Sequence, residues 1–115
     1  METGVSVWIT NFAGHDYEPA KEYGELKHII KGFISFQSLD RVKYQIVESL
    51  QDYKENDFLL LSGTNIINVI ATAYVMNKFR KVFLLVFDKD DNTYRKAVLT
   101  ASNFGDIDDA HARGN

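Results

Sequence analysis

The stretch FLLLSGTNIINVIATAYVMNKFRKVFLLVF, Phe58 to Phe87, decides the fold. Phe58-Leu59-Leu60-Leu61 has no polar alternation, so both of its faces are buried, the mark of a central strand in a parallel sheet. Ser62-Gly63-Thr64-Asn65 interrupts it with turn and capping residue types. The spacing then predicts a helix over Ile66 to Phe79, and Val82 to Phe87 reads as a second fully apolar strand. Strand, helix and strand of this kind form a right-handed crossover unit.

The helix has an unusual composition. Ile66, Ile67, Val69, Ile70, Ala71, Ala73, Tyr74, Val75 and Met76 cover most of its circumference, and only Asn65, Asn68 and Thr72 make a polar stripe over the first two turns. A helix apolar nearly all round must be covered on more than one side. The expected second cover is another copy of the chain, giving a homo-oligomer through Ile66 to Met76. The segment 13–37 is the alternative roof. Lys78, Arg80 and Lys81 place cations where the helix dipole ends negative.

Working outward, Leu39, Val42, Ile46, Leu50 and Tyr53 recur at helical spacing and predict a one-faced helix from Leu39 to Tyr53, with Ser38 as its N-cap. Val5, Val7 and Ile9 alternate with Ser6, Trp8 and Thr10, a period-2 strand. Pro19 suits the first position of a short helix over Glu18 to Tyr23. Leu26 to Ile30, with His28 on its polar side, and Phe33 to Phe36 read as a small hairpin or one irregular extended segment around Gly32. Asp88-Lys89-Asp90-Asp91-Asn92 forms a turn. It opens like a calcium loop, but Thr93 stands where glycine is needed and Leu99 where glutamate is needed. Tyr94 to Leu99, with Arg95 and Lys96, returns as an antiparallel edge. The expected class is α/β: a small Rossmann-like domain of two or three layers, with a mainly parallel central sheet and a C-terminal antiparallel hairpin. Residues 1–104 form one domain and 105–115 a flexible polar tail. The tail's Asp106, Asp108, Asp109 and His111 read as tail charge with no geometry fixed for a metal.

With 13 Lys plus Arg against 16 Asp plus Glu, the chain has a net charge of −3. It lacks the positive field that attracts a nucleic-acid backbone or an anionic membrane surface. No run approaches the ~20 apolar residues of a membrane span. Cysteine is absent, which removes thiolate nucleophiles, thiolate metal ligands and disulfides together, and suits a reducing compartment. Neither a cofactor nor a metal is expected.

In open α/β sheets, ligands gather outside the carboxyl ends of the strands. Asn11, Gly14, His15, Asp16 and Tyr17 follow the first strand; Ser62, Gly63, Thr64 and Asn65 follow the second; Asp88 follows the third. Gly63 lets a ligand approach the backbone, Thr64 and Asn65 supply donors, and free amides open the helix behind them. Capping alone accounts for the same residues, and the tetrapeptide completes neither of the glycine-rich phosphate patterns. His15 beside Asp16, with Ser62 across the rim, is the raw material for acid–base chemistry. Adjacent extended residues point apart, however, and Ser62 does not sit in a Gly-x-Ser-x-Gly elbow. Asn11, His15, Asp16, Tyr17, Ser62, Gly63, Thr64 and Asn65 are therefore the candidate binding residues, with no catalytic residue assigned.

Asn11-x-x-Gly14-His15-Asp16-Tyr17, Tyr23-Gly24-Glu25-Leu26 and Asp57-Phe58-Leu59-Leu60-Leu61-Ser62-Gly63, followed by the apolar helix and the Lys/Arg-led strand pair, together resemble a group of short uncharacterised α/β proteins of tailed bacteriophages over about residues 5–99. The resemblance implies a phage accessory protein working in the cytoplasm of a bacterial host, and carries no reaction with it. Three functions fit. The first is nonenzymatic binding of a small anionic, nucleotide-like ligand, with sequestration of a host signalling nucleotide as one use. The second is a nucleotide or nucleoside hydrolase or glycosyl-transfer enzyme. The third is a host-defence inhibitor or virion-associated structural protein that binds a host protein through Trp8, Tyr17, Tyr23 or Tyr94.

Overall fold

A computed structural model describes residues 4–32 and 39–113. Its elements are β1 (Ser6–Phe12), a 3-10 helix (Glu18–Tyr23), β2 (Glu25–Lys31), α1 (Leu39–Ser49) running into a 3-10 turn (Leu50–Asp52), β3 (Phe58–Leu60), α2 (Asn65–Phe79), β4 (Lys81–Asp88), β5 (Thr93–Thr100) and α3 (Ala101–Arg113). The five strands form one sheet in the order β2-β1-β3-β4-β5. Four are parallel and β5 returns antiparallel to β4.

The α/β class, the mainly parallel sheet and the antiparallel closing pair agree with the sequence reading; other details differ. Glu25–Lys31 is a fourth parallel strand, regular along its length and paired with β1, while the Phe33 to Phe36 part of the expected hairpin or extended segment and the expected cap at Ser38 lie outside the described residues. Both faces of β1 are buried, Ser6 and Thr10 as well as Val7 and Ile9, because α2 packs on one face and the 3-10 helix on the other. Residues 101–113 are a helix where a loose tail was expected from Gly105.

Both long helices lie on one face of the sheet. Val42, Ile46 and Leu50 from the α1 segment and Ile67, Ala71 and Val75 from α2 share a core with Trp8, Leu59, Val82 and Leu84. On the opposite face Val7, Ile9, Leu60, Leu85 and Tyr94 share a smaller core with Tyr17, Ala20 and the partly buried Tyr23 from the segment around the 3-10 helix. Much of the second cover that α2 needs is therefore supplied by α1, although Val69 remains 60% exposed. None of the described helices is long and apolar enough to cross a membrane.

The amino end of the sheet is held by a carboxylate inside the polar break before β3. Asp57 is 2% exposed and accepts hydrogen bonds from the Ser6 amide, the Trp8 indole Nε1–H and the Lys54 amide, each at 3.0 Å. The Tyr53 hydroxyl donates to the Asp57 carbonyl at 2.7 Å. One side chain thus ties the start of β1 to the start of β3. Asp57→Ala strands three donors, each costing about 1–3 kcal/mol if left unpaired. The variant is expected to lose roughly 3–5 kcal/mol in urea unfolding, and Asp57→Asn distinctly less.

Burial first, and the Asp57 charge second, push the Tyr53 phenol above its ordinary value of 10.0. The fold favours the neutral phenol, whereas the unfolded chain ionises it near 10. This contribution is complete below pH 10 and drains away as pH rises beyond it. Tyr94 is raised in the same direction, by burial first and then by Tyr17 and Asp16. The urea midpoint should fall as pH climbs above 10, and Tyr53→Phe should reduce that slope without abolishing it.

Candidate functional site

At the carboxyl edge of the sheet, Asn11 organises the rim. It is the last fully buried position of β1 and is 2% exposed. Its Oδ1 accepts the Thr64 amide at 2.8 Å, and its Nδ2 donates to the carbonyls of Gly32 at 2.8 Å and Ile30 at 3.3 Å. The exit of β1, the exit of β2 and the entry to α2 are thereby joined by one amide side chain. Gly63 makes the approach possible: with φ +71 it adopts a left-handed backbone, and a Cβ there would lie 2.3 Å from Asn11 Oδ1. Glycine is required on both counts.

A second set of bonds shapes the turn beneath. Thr10 Oγ1 donates toward the carbonyls of Leu60 and Ser62, both at 3.2 Å, and accepts the Ser62 amide at 3.1 Å. It also meets Asn68 Oδ1, which itself accepts the Ser62 amide at 3.1 Å. The Tyr17 hydroxyl accepts the Ala13 amide at 3.0 Å and lies 2.7 Å from Ser62 Oγ. The Tyr17 and Ser62 hydroxyls share one hydrogen bond in which either oxygen can donate. No histidine or carboxylate hydrogen-bonds Ser62 among the described residues, so nothing activates it as a nucleophile.

Two cavities open at this rim and share Gly63. The first, ≈ 330 Å³, is lined by His15, Asp16, Pro19, Leu61, Ser62, Gly63, Phe87, Asn92 and Tyr94. The second, ≈ 620 Å³, is lined by Asn11, Phe12, Ala13, Gly14, Gly32, Gly63 and Thr64. His15 and Thr64 thus stand at the same end of the molecule. Asp16 uses Oδ1 to hold the Glu18 amide at 3.0 Å, starting the 3-10 helix. The amides of Gly63, Asn65 and Ile66 have no partner among the described residues, whereas Ile67 and Asn68 both donate to the Thr64 carbonyl. Among the described residues, Asp16 is the only formally charged side chain lining either cavity, and no lysine or arginine lines them.

The eight residues selected from the sequence therefore take different places. His15, Asp16, Ser62 and Gly63 surround one cavity, while Asn11 and Thr64 border the other through a clasp that already uses the Asn11 side chain. Tyr17 is buried, a strut beneath Ser62, and Asn65 is exposed at the start of α2 without lining either cavity. Asp88 turns away to Arg95 and the Asp90 amide. Phe87 and Asn92 escaped the sequence reading, and Tyr94, expected on a protein-binding surface, is buried and lines the cavity instead. Phe87 faces Tyr94 across the β4–β5 pair, rings 5.3 Å apart, and only that register brings both to the cavity.

An α/β domain with glycine-centred cavities at its carboxyl rim is a fold suited to small-molecule binding. The family model described as phage Pam3 gp32-like protein matches residues 9–101, and the chain belongs to this family of phage proteins. The match contains every residue lining the two rim cavities and ends at the first residue of α3. No curated protein and no solved structure matches the chain.

Gly63→Ala is expected to break the Asn11–Thr64 bond and cost roughly 2–4 kcal/mol in chemical unfolding. Asn11→Gly removes the three atoms nearest the new methyl. The double variant should then fall short of the summed single losses by at least about 1 kcal/mol, the remainder being the left-handed backbone strain that alanine still feels.

Proposed function

We propose that this phage protein binds a small, singly anionic, nucleotide-like ligand at the rim around Gly63 and holds it without turnover. The observation carrying this reading is the pairing of two surfaces across one glycine. On one side, His15, Phe87 and Tyr94 offer ring faces and edges to a planar group. On the other, the entry to α2 presents the amides of Gly63, Asn65 and Ile66, which have no partner among the described residues, where the positive end of the helix dipole favours a negative group. Asp16, its second carboxylate oxygen available, suits sugar hydroxyls as an acceptor. The absence of lysine and arginine from the lining limits the anion to one phosphate-like or carboxylate-like group, since a polyphosphate calls for cationic partners.

Binding without chemistry fits the hydrogen bonding, because Ser62 is paired to a phenol and lacks a base. A stoichiometric binder working in the host cytoplasm would act by sequestration, and a host signalling nucleotide is the ligand class that this use implies.

A thermal-shift screen of nucleosides, nucleoside monophosphates and cyclic nucleotides tests the reading. At a hundredfold excess over Kd, a true ligand stabilises by about 2.7 kcal/mol, a clear rise in Tm. Phe87→Ala and Asp16→Ala should each abolish the rise. Mass spectrometry of the incubated ligand should return it unchanged. A screen without any shift removes the proposal, and conversion to product replaces it with an enzyme.

A further inference from the structure

Among the described residues, α3 is exposed along its length and one face of the sheet is covered only in part, by the 3-10 helix. Helix α3 follows β5 with no intervening loop, since β5 ends at Thr100 and α3 begins at Ala101. Its direction is set by a reciprocal cap: the Asn103 amide donates to Thr100 Oγ1 at 3.2 Å, and the Thr100 amide donates to Asn103 Oδ1 at 3.3 Å. The Ala101 amide also donates to the Arg80 carbonyl at 2.9 Å. Beyond this anchor the helix departs from the domain, with Phe104 50% and Ile107 64% exposed on one stripe. The Cα radius of gyration is 15.3 Å, against about 13 Å for a compact chain of this length.

On the sheet face opposite α1 and α2, the 3-10 helix covers only part of the surface. Tyr23, Phe58 and Phe83 form an aromatic row with ring separations of 5.5 and 5.9 Å, and Val98, paired with Phe83, extends it to the edge at 43% exposure. Alternation puts Lys81 and Lys96 on this same face. Lys81 lies over the Phe83 ring and makes a partly exposed pair with Glu55 at 3.5 Å. The α3 stripe is flanked by Asp108, one step from Phe104 around the helix. Apolar centre and charged margin are thus opposite in sign on the two surfaces. The loopless, capped junction keeps α3 from folding back onto its own sheet, and at about 1.5 Å rise per residue its 13 residues are long enough to cross several strands of another.

We propose that two copies of the chain exchange α3. Phe104 and Ile107 of each copy lie over Phe58, Phe83 and Val98 of the other, with Asp108 against Lys96, in a symmetric and self-complementary pair. This interface is distinct from the α2 face suggested by the sequence, where Val69 and Ala73 border an apolar groove of ≈ 370 Å³. It is also independent of the rim cavities.

Sedimentation velocity across a concentration series tests the exchange. The wild-type chain should show a monomer–dimer equilibrium. Phe104→Asp with Ile107→Asp should weaken dimerisation on the order of a hundredfold or more, because each change occurs twice in the interface. Both side chains are exposed, so unfolding of the monomer by urea should be unchanged. Val98→Asp should have the same effect from the sheet side. Lys96→Glu and Asp108→Lys should each weaken the dimer, and their combination should recover part of the loss. A wild-type chain that stays monomeric throughout overturns the inference. So does a dimer that survives Phe104→Asp with Ile107→Asp but is lost in Val69→Asp.

Discussion

Everything at the carboxyl rim depends on the contact between Asn11 and the backbone from Gly63 to Thr64. A parallel sheet leaves the ends of neighbouring strands unconnected, since each crossover departs over a face and returns elsewhere. Asn11 replaces that missing connection with three hydrogen bonds from one side chain, reaching β2 in one direction and α2 in the other. The bond to Thr64 is available only because residue 63 has no Cβ and tolerates a positive φ. Both cavities share this glycine, so their shapes are set by the same contact. A rigid edge of this kind is what a small ligand needs, because little ordering remains to oppose binding.

Legibility varied along the chain for physical reasons. Phe58 to Phe87 was readable because strands buried on both faces select apolar residues at every position, leaving a signal that no loop mimics. The edge strand β2 was not. Its burial alternates imperfectly, and Lys27 lies in a mainly buried sheet by extending over the Trp8 ring at 5.1 Å, a contact invisible to periodicity. The first strand was recognised but judged half-buried, because Ser6 and Thr10 look like solvent-facing residues until their partners across the chain are known. Gly105 and three aspartates concealed α3, although Thr100 and Asn103 at capping distance were a usable signal. For the site, the rule locating ligands at strand carboxyl ends selected the two loops that meet. It could not supply Phe87 and Tyr94, whose convergence depends on an antiparallel register, nor Asp57, whose role depends on an indole donor 49 positions away.

The two ends of the sheet use buried polar groups differently. At the amino end, the Asp57 carboxylate is surrounded by donors and the region serves to bind β1 to β3. At the carboxyl end, the hydrogen bonds of Asn11, Thr10 and Tyr17 are likewise internal, yet they leave the first amides of α2 without a partner. No described buried side-chain polar atom lacks a hydrogen bond. The capacity left over for recognition therefore resides in main-chain groups and aromatic surface rather than in charged side chains. That arrangement separates stability from binding: the groups that hold the fold are not those offered to a guest.

The interior position of β1, between β2 and β3, also governs the order in which the protein can be made. One of its neighbours, β2, follows closely in the chain, whereas the other pairs Val7 with Phe58, some 51 residues later. During synthesis from the amino terminus, β1 and β2 emerge as an isolated pair with one long edge bare. They must wait for β3 before that edge is satisfied. Ser6 and Trp8 have the same wait for Asp57, so the acid that closes the sheet arrives together with the strand that completes it.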